Sequence, residues 1–209
     1  MRIFLFFLAL TACAHAQFGV ALALPRSTYM ALEAIPASVT VTNRTGSDIV
    51  LGGPGRSSWL SFEMTDVSGH PLAPIEVSSE DLVQIPAGGS IQRKVTVTDA
   101  FAPADIGNYT LTARILHTPT QQYYASNRVR FNITDAKPLW QQTFGMPEGY
   151  KEVGRIRRYA IMVLREADSS SLYFRLIDDK SGMRLQTYSL GRVSMVYDPQ
   201  ITLDRANSL

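Results

Sequence analysis

The feature that most constrains this chain is a two-residue alternation of apolar and polar side chains, restarted repeatedly between Phe18 and Thr134 by clusters of Gly, Pro, Asn and Ser. Successive side chains of a β-strand point to opposite faces, so this pattern buries one face of a sheet and wets the other. A helix would need apolar residues every three or four positions instead. In "SVTVTN", Val39 and Val41 point one way and Thr40 and Thr42 the other, and Asn43-Arg44-Thr45-Gly46-Ser47 predicts a hairpin into Ile49, Val50 and Leu51. In "WLSFEMTD", Leu60, Phe62 and Met64 share the core face, opposite Trp59, Ser61 and Glu63, before the Ser68-Gly69 turn. After Gly88-Gly89, "IQRKVTVT" sends Val95 and Val97 inward. Tyr109, Leu111, Ala113 and Ile115 alternate with Asn108, Thr110, Thr112 and Arg114, while Val129, Phe131 and Ile133 alternate with Arg128, Arg130 and Asn132.

About seven short strands with this turn spacing predict an all-β chain built on an immunoglobulin-like antiparallel sandwich over residues 17–135. The stretch "DIGNYTL" reads as its corner. Tyr109 would pack its ring inward and bond upstream backbone through its hydroxyl, near Ala104 or Asp105. Two residues on, where antibody domains carry a disulfide cysteine, stands Leu111. An aliphatic side chain packing on Val39 or Val41 can bury comparable area, at about 25 cal/mol per Å2.

The segments "VTVTNRTGSDIVL", "WLSFEMTDVSGHPL", "IPAGGSIQRKVTV" and "GNYTLTARI", in this order over roughly residues 29 to 116, resemble the bacterial immunoglobulin-like modules of the Bacillus intracellular proteinase inhibitor family. The matching positions are turns and core residues. The resemblance therefore implies a fold, and it transfers no inhibitory loop to any residue of this chain.

Residues 136–209 change character. Asp135-Ala136-Lys137-Pro138 reads as a linker and "LWQQTFGMPEG" as irregular chain. The segments "RRYAIMVLRE", "SLYFRLIDD", "MRLQTYSLG", "VSMVYD" and "ITLD" then predict a β-meander. Tyr159 to Leu164 is apolar on both faces, which leaves a helix as the alternative to a buried strand. The meander is expected either as a small module or as the start of a further β domain such as a propeller blade.

The first residues set the compartment. "MRIFLFFLALTACAHAQ" has one early charge, Arg2, a short apolar run and an Ala14-His15-Ala16 ending, which predicts a secretory signal peptide over residues 1–16. The apolar run reaches about half of the roughly 20 residues that span a bilayer, so no transmembrane span is expected. Leu10-Thr11-Ala12-Cys13 also resembles a lipobox, which would make Cys13 the lipidated first residue and leave a membrane-tethered lipoprotein. Cys13 is the one cysteine of the chain. A mature form that starts at Gln17 contains no disulfide, thiolate nucleophile or cysteine metal site, and fits a bacterial periplasmic or secreted protein. The formal net charge of +2 carries no nucleic-acid footprint.

The remaining residues offer little chemistry. His70 lies in a Gly-His-Pro turn and His117 at a strand end, without the spacing of a metal site. Gly52-Gly53-Pro54-Gly55-Arg56-Ser57-Ser58 lacks the Lys and the following helix of a phosphate loop. Asp178 and Asp179 are neighbours in a hairpin turn. Asn43, Asn108 and Asn132 open Asn-x-Thr sequons that matter only in a eukaryotic host. No catalytic, cofactor or metal residue is expected. Candidates for a partner surface are the aromatics Trp59, Tyr123 and Tyr124 and the basic cluster Arg155, Arg157 and Arg158, with Trp140 in the linker. The expectation is a non-catalytic exported binding or spacer protein whose partner is an unknown protein or envelope component. The alternatives are an accessory sandwich of a larger secreted enzyme and, on the resemblance, a proteinase-inhibitor-like module.

Overall fold

Pro25 shapes the entry into the fold. The first strand, β1 (Phe18–Ala23), ends just before it, and the chain crosses to the opposite sheet as β2 (Thr28–Met30), since proline has no N–H to continue a ladder. In this computed structural model the described residues are 18–53, 58–74, 82–101, 103, 105–146, 148–149, 153–167, 169–181, 184–194 and 201, with only the backbone at 184. The signal segment with Cys13, residues 54–57 of the glycine-rich loop and, of "VSMVYD" and "ITLD", residues 195–198 and 202–204 lie outside them.

The chain is all-β. After β2 come β3 (Pro36–Asn43), β4 (Ile49–Leu51), β5 (Leu60–Thr65), β6 (Val83–Ile85) and β7 (Ser90–Thr96). A single helical turn α1 (Val97–Ala100) follows, then β8 (Gly107–His117), β9 (Gln122–Ala125) and β10 (Val129–Thr134). One sheet has the order β1-β3-β7, the other β2-β10-β8-β5 with β9 beside β8, and β4 pairs with β6. All these pairs are antiparallel except β2 with β10, which run parallel from Asn132↔Thr28 to Thr134↔Met30. The apolar faces of the two large sheets meet in one core: Val39 and Val41 of β3 and Leu111, Ala113 and Ile115 of β8 are each fully buried.

Two local expectations fail within the sandwich. β3 and β4 do not form a hairpin, because β3 is already paired on both sides, with β1 and with β7. Buried Asn43 organises the intervening turn through its carboxamide instead. Its Nδ2 donates to the carbonyls of Ser47 (2.8 Å), Ile85 (3.1 Å) and Pro86 (3.0 Å), and its Oδ1 accepts from the Thr45 backbone N–H (2.9 Å) and hydroxyl (2.7 Å). This occupation also closes Asn43 to a glycan. The strand expected through Val97 stops at Thr96, and Val97 is buried in α1.

The last unit is a four-stranded antiparallel sheet in sequence order: β11 (Pro138–Gly145), β12 (Ile156–Arg165), β13 (Ser170–Asp178) and β14 (Arg184–Val193). β11 replaces the irregular chain expected there, with Trp140 in the strand rather than in a linker. β12 is the strand form of the ambiguous Tyr159–Leu164 run; Ala160, Ile161 and Met162 are buried consecutively, which explains why its periodicity was equivocal. No helix among the described residues is long and apolar enough to cross a membrane.

Candidate functional site

Of the buried polar and charged side chains among the described residues, Glu33, Arg175 and Thr187 lie where the terminal sheet meets the sandwich. β13 places Tyr173 and Arg175 on one face, β12 adds Met162, and β14 adds Thr187 in register with Arg175. All four are buried. The Arg175 guanidinium sits in a cage: Nε donates to Thr187 Oγ1 (2.9 Å), Nη1 to Asp135 Oδ1 (2.7 Å) and Nη2 to the Ala31 carbonyl (3.1 Å). Thr187 donates its hydroxyl to the same carbonyl (2.7 Å) and its N–H to the Leu32 carbonyl (3.1 Å). Three partners around a planar cation satisfy the requirement that a buried charge be both paired and hydrogen-bonded.

A second ionic group lies beside the first. Arg26 bonds the carboxylate of Glu33, donates to the Tyr173 hydroxyl (2.8 Å) and stands 4.7 Å from the centre of the Tyr29 ring. Glu33, 4% exposed, also accepts the Met30 N–H (2.9 Å). Burial raises the pKa of Tyr173, so its hydroxyl stays protonated through the neutral range. The turn carrying these groups holds Leu32 at φ +65°, a left-handed conformation that costs a non-glycine residue roughly 1 kcal/mol. The Glu33 N–H bond to Met30 (3.0 Å) and the Thr187 bond to Leu32 hold it there. A cleft of about 250 Å3 opens beside the turn, walled by Met30, Leu32, Phe101 and Leu185 with Glu33 and Asp99 at its polar side.

The opposite face of the terminal sheet carries rings on all four strands. Phe144 meets Tyr159 (centroids 5.0 Å), Tyr159 meets Phe174 edge-on (5.4 Å) and Phe174 stacks on Tyr188 (6.1 Å). Diagonal cross-strand neighbours are within reach of aromatic side chains, so the ladder follows from the register. Its more exposed end is Tyr188, 45% exposed, beside Leu190 at 58%.

The candidate surface residues do not form one surface. Trp59 is fully buried in the sandwich core and is corrected from a partner residue to a packing residue; its alternation faces it away from Leu60, but the chain folds over that side too. Tyr123 is 59% exposed on β9. Its neighbour Tyr124 packs edge-on against Phe18 at 4.4 Å. The basic cluster is likewise divided: Arg155 is exposed, Arg157 is buried 3.6 Å from Asp178, and Arg158 pairs with Asp179. Asp178 and Asp179 thereby serve as the counter-charges of β12. The Ser181 N–H (3.1 Å) holds the Asp178 carboxyl below the ordinary carboxylate value, with Arg157 adding to the effect.

The remaining groups serve the fold. The Tyr109 hydroxyl donates to the Asp105 carbonyl (2.8 Å) while its ring stacks on Phe131, and Leu111 is fully buried. His117 shares a bond with Thr120 Oγ1 (2.8 Å), and burial lowers its pKa. Among the described residues no three His, Cys, Asp or Glu side chains are placed to hold a metal ion. Sequence reasoning overlooked Arg26, Glu33, Asp135, Arg175 and Thr187. One signal was present, an arginine inside the apolar run "LYFRLI", whose burial a period-two reading leaves undecided.

No family model matches the chain, and no curated protein matches it. Solved structures align loosely. The sporulation control protein Spo0M from Bacillus subtilis is 11% identical with a TM-score of 0.38, over 87% of this chain and 91% of that one. The E. coli chaperone DraB is 11% identical with a TM-score of 0.32, over 83% and 98%. The Pseudomonas fluorescens alkylpurine DNA glycosylase AlkC, bound to DNA containing an abasic site analog, is 10% identical with a TM-score of 0.35, over 56% of this chain and 30% of that one. The chain thus spans about 30% of the length of the glycosylase, and likenesses of this size define no family.

Proposed function

We propose that the chain is an exported, non-catalytic binding or spacer module of the bacterial envelope or extracellular space. The observation that carries this reading is the Arg175 cage, which fixes a terminal sheet to the sandwich with its aromatic side turned outward. A spacer must transmit a fixed geometry, and a planar cation bonded on three sides specifies one relative placement better than apolar contact alone. Export rests on the amino-terminal segment, with Gln17 as the first mature residue or a lipidated Cys13 as the tethered form.

Two measurements test the proposal. Mass spectrometry of the mature amino terminus should find Gln17 or acylated Cys13 at the start, and a retained Met1 refutes export. A hydrolase and transferase assay panel on the purified chain should find nothing that a single side-chain substitution abolishes. An activity lost in that way overturns the non-catalytic reading while leaving export untouched.

A further inference from the structure

The sheet edges of this protein are not treated alike. An edge strand presents unpaired backbone groups that template another strand, and proteins block them with charge, bulges or covering chain. On β1 the Asn127 carboxamide does the blocking, accepting from the Leu22 N–H (2.9 Å) and donating to the Leu22 carbonyl (3.0 Å) as a strand would. β7 carries Arg93 and Lys94. β5 is partly covered by the Leu72 N–H on the Met64 carbonyl (2.9 Å) and a bridge from Thr65 to Pro71. β14 bridges to the sandwich at Glu33↔Thr187. β11, "PLWQQTFG", has no charged residue over its length, and among the described residues no strand pairs with its far side. Its side chains are exposed except for half-buried Trp140 and Phe144.

We infer that β11 pairs with β11 of a second copy of this chain, antiparallel about a twofold axis at Gln142, joining two four-stranded sheets into one of eight strands. The sequence of the edge selects that occupant. A twofold axis normal to the sheet keeps each face on its own side, so residues of equal parity oppose one another. Centred on Gln142, this sets Trp140 against Phe144, Gln141 against Thr143 and Gln142 against itself, and every pair matches aromatic to aromatic or amide to hydroxyl or amide. Trp140 and Phe144 lie on the ladder face, so the ladder from Tyr188 to Phe144 would continue into the partner's Trp140. The register shift between Pro138 and Trp140 bounds the pairing at one end and leaves Trp140 to Gly145 regular. A foreign strand with charged residues would gain no complementary charge here, whereas the chain's own edge brings none. So short an edge buries little area, and the association should be weak and concentration-dependent.

Sedimentation velocity over a concentration series tests the pairing, with Gln142→Lys and Gln142→Glu as the variants. Gln142 is an exposed side chain, so neither change disturbs the core. The parent should shift towards twice the monomer mass as concentration rises. Each variant alone should lose that species, because like charges would face each other across the axis, and an equimolar mixture of the two should recover it. A parent that stays monomeric to about 1 mM overturns the inference. So do single variants that dimerise as the parent does, or a mixture that remains monomeric.

Discussion

In the sandwich, Val39 and Val41 of one sheet and Leu111, Ala113 and Ile115 of the other bury one another completely. In the terminal sheet the inner face is held by Met162, Tyr173, Arg175 and Thr187 against the sandwich residues Met30, Ala31, Leu32 and Arg26. Two facing sheets supply each other with apolar surface, so the hydrophobic effect suffices. Among the described residues, the four-stranded terminal sheet has no second layer of its own. Its apolar cluster is small, with Met30 contributed by the sandwich, and the rest of the contact is polar. One region is thus held by apolar burial, whereas the contact of the other is largely a set of hydrogen bonds to a buried guanidinium.

The largest test strikes the sandwich. Trp59→Ala removes a fully buried indole and should cost about 3–5 kcal/mol in urea-induced unfolding, a cavity effect that the terminal sheet cannot offset. A variant as stable as the parent would return Trp59 to the surface and weaken the contrast at its strongest point.

Arg175→Met tests the other half. It removes the guanidinium from Asp135 and the Ala31 carbonyl and should cost roughly 3 kcal/mol, the low end for a broken buried pair because Asp135 is not wholly dry and keeps the Ala136 N–H. Hydrogen exchange locates the loss: amides of β12 to β14 should exchange faster while those of β3 and β8 keep their protection. Uniform loss across both regions would mean that the joint is as integral to the sandwich as its own core.

Tyr109→Phe keeps the ring on Phe131 and removes one bond to Asp105, so a loss of about 0.5–1.5 kcal/mol is expected in the same melts. A change larger than this would show that the corner, and not the sheet contact, limits the sandwich.

Acid should loosen one turn in each region by a smaller amount. The N–H groups of His70 (2.9 Å) and Ser68 (2.8 Å) hold Asp66 below its ordinary value of 3.8, as Ser181 does for Asp178. A depressed carboxyl pKa stabilises fully above the ordinary value, and the contribution disappears as pH falls below 3.8 through the folded-state value. Amide resonances of His70 and Ser181 followed by NMR should move in that window. Asp66→Asn should abolish the change at His70 alone and Asp178→Asn the change at Ser181 alone; cross-effects would argue against independent turns.

The strands of the sandwich were legible because each has one wet face, as at Tyr109 to Ile115 and Val129 to Ile133, where period two survives in the residues. β12 was ambiguous because Ala160, Ile161 and Met162 are buried on both sides, which erases the period. β11 was missed because Gln141, Gln142 and Thr143 expose both faces, so no apolar alternation marks it. The joint left almost no trace. Arg26, Glu33, Asp135, Arg175 and Thr187 are distant in sequence, and each by itself reads as an ordinary solvated side chain.

The sequence by itself determined the all-β class, the inward faces of the sandwich strands and the corner at Tyr109, because alternation and turn chemistry act over a few residues. Only the tertiary structure decided that Trp59 is core, that β3 pairs with β1 and β7 rather than with β4, and that Arg175 reaches Ala31 across 144 positions of chain. Those outcomes depend on which surfaces meet. Burial, pairing partner and the cage around a charge are set by long-range packing, and a local pattern encodes none of them.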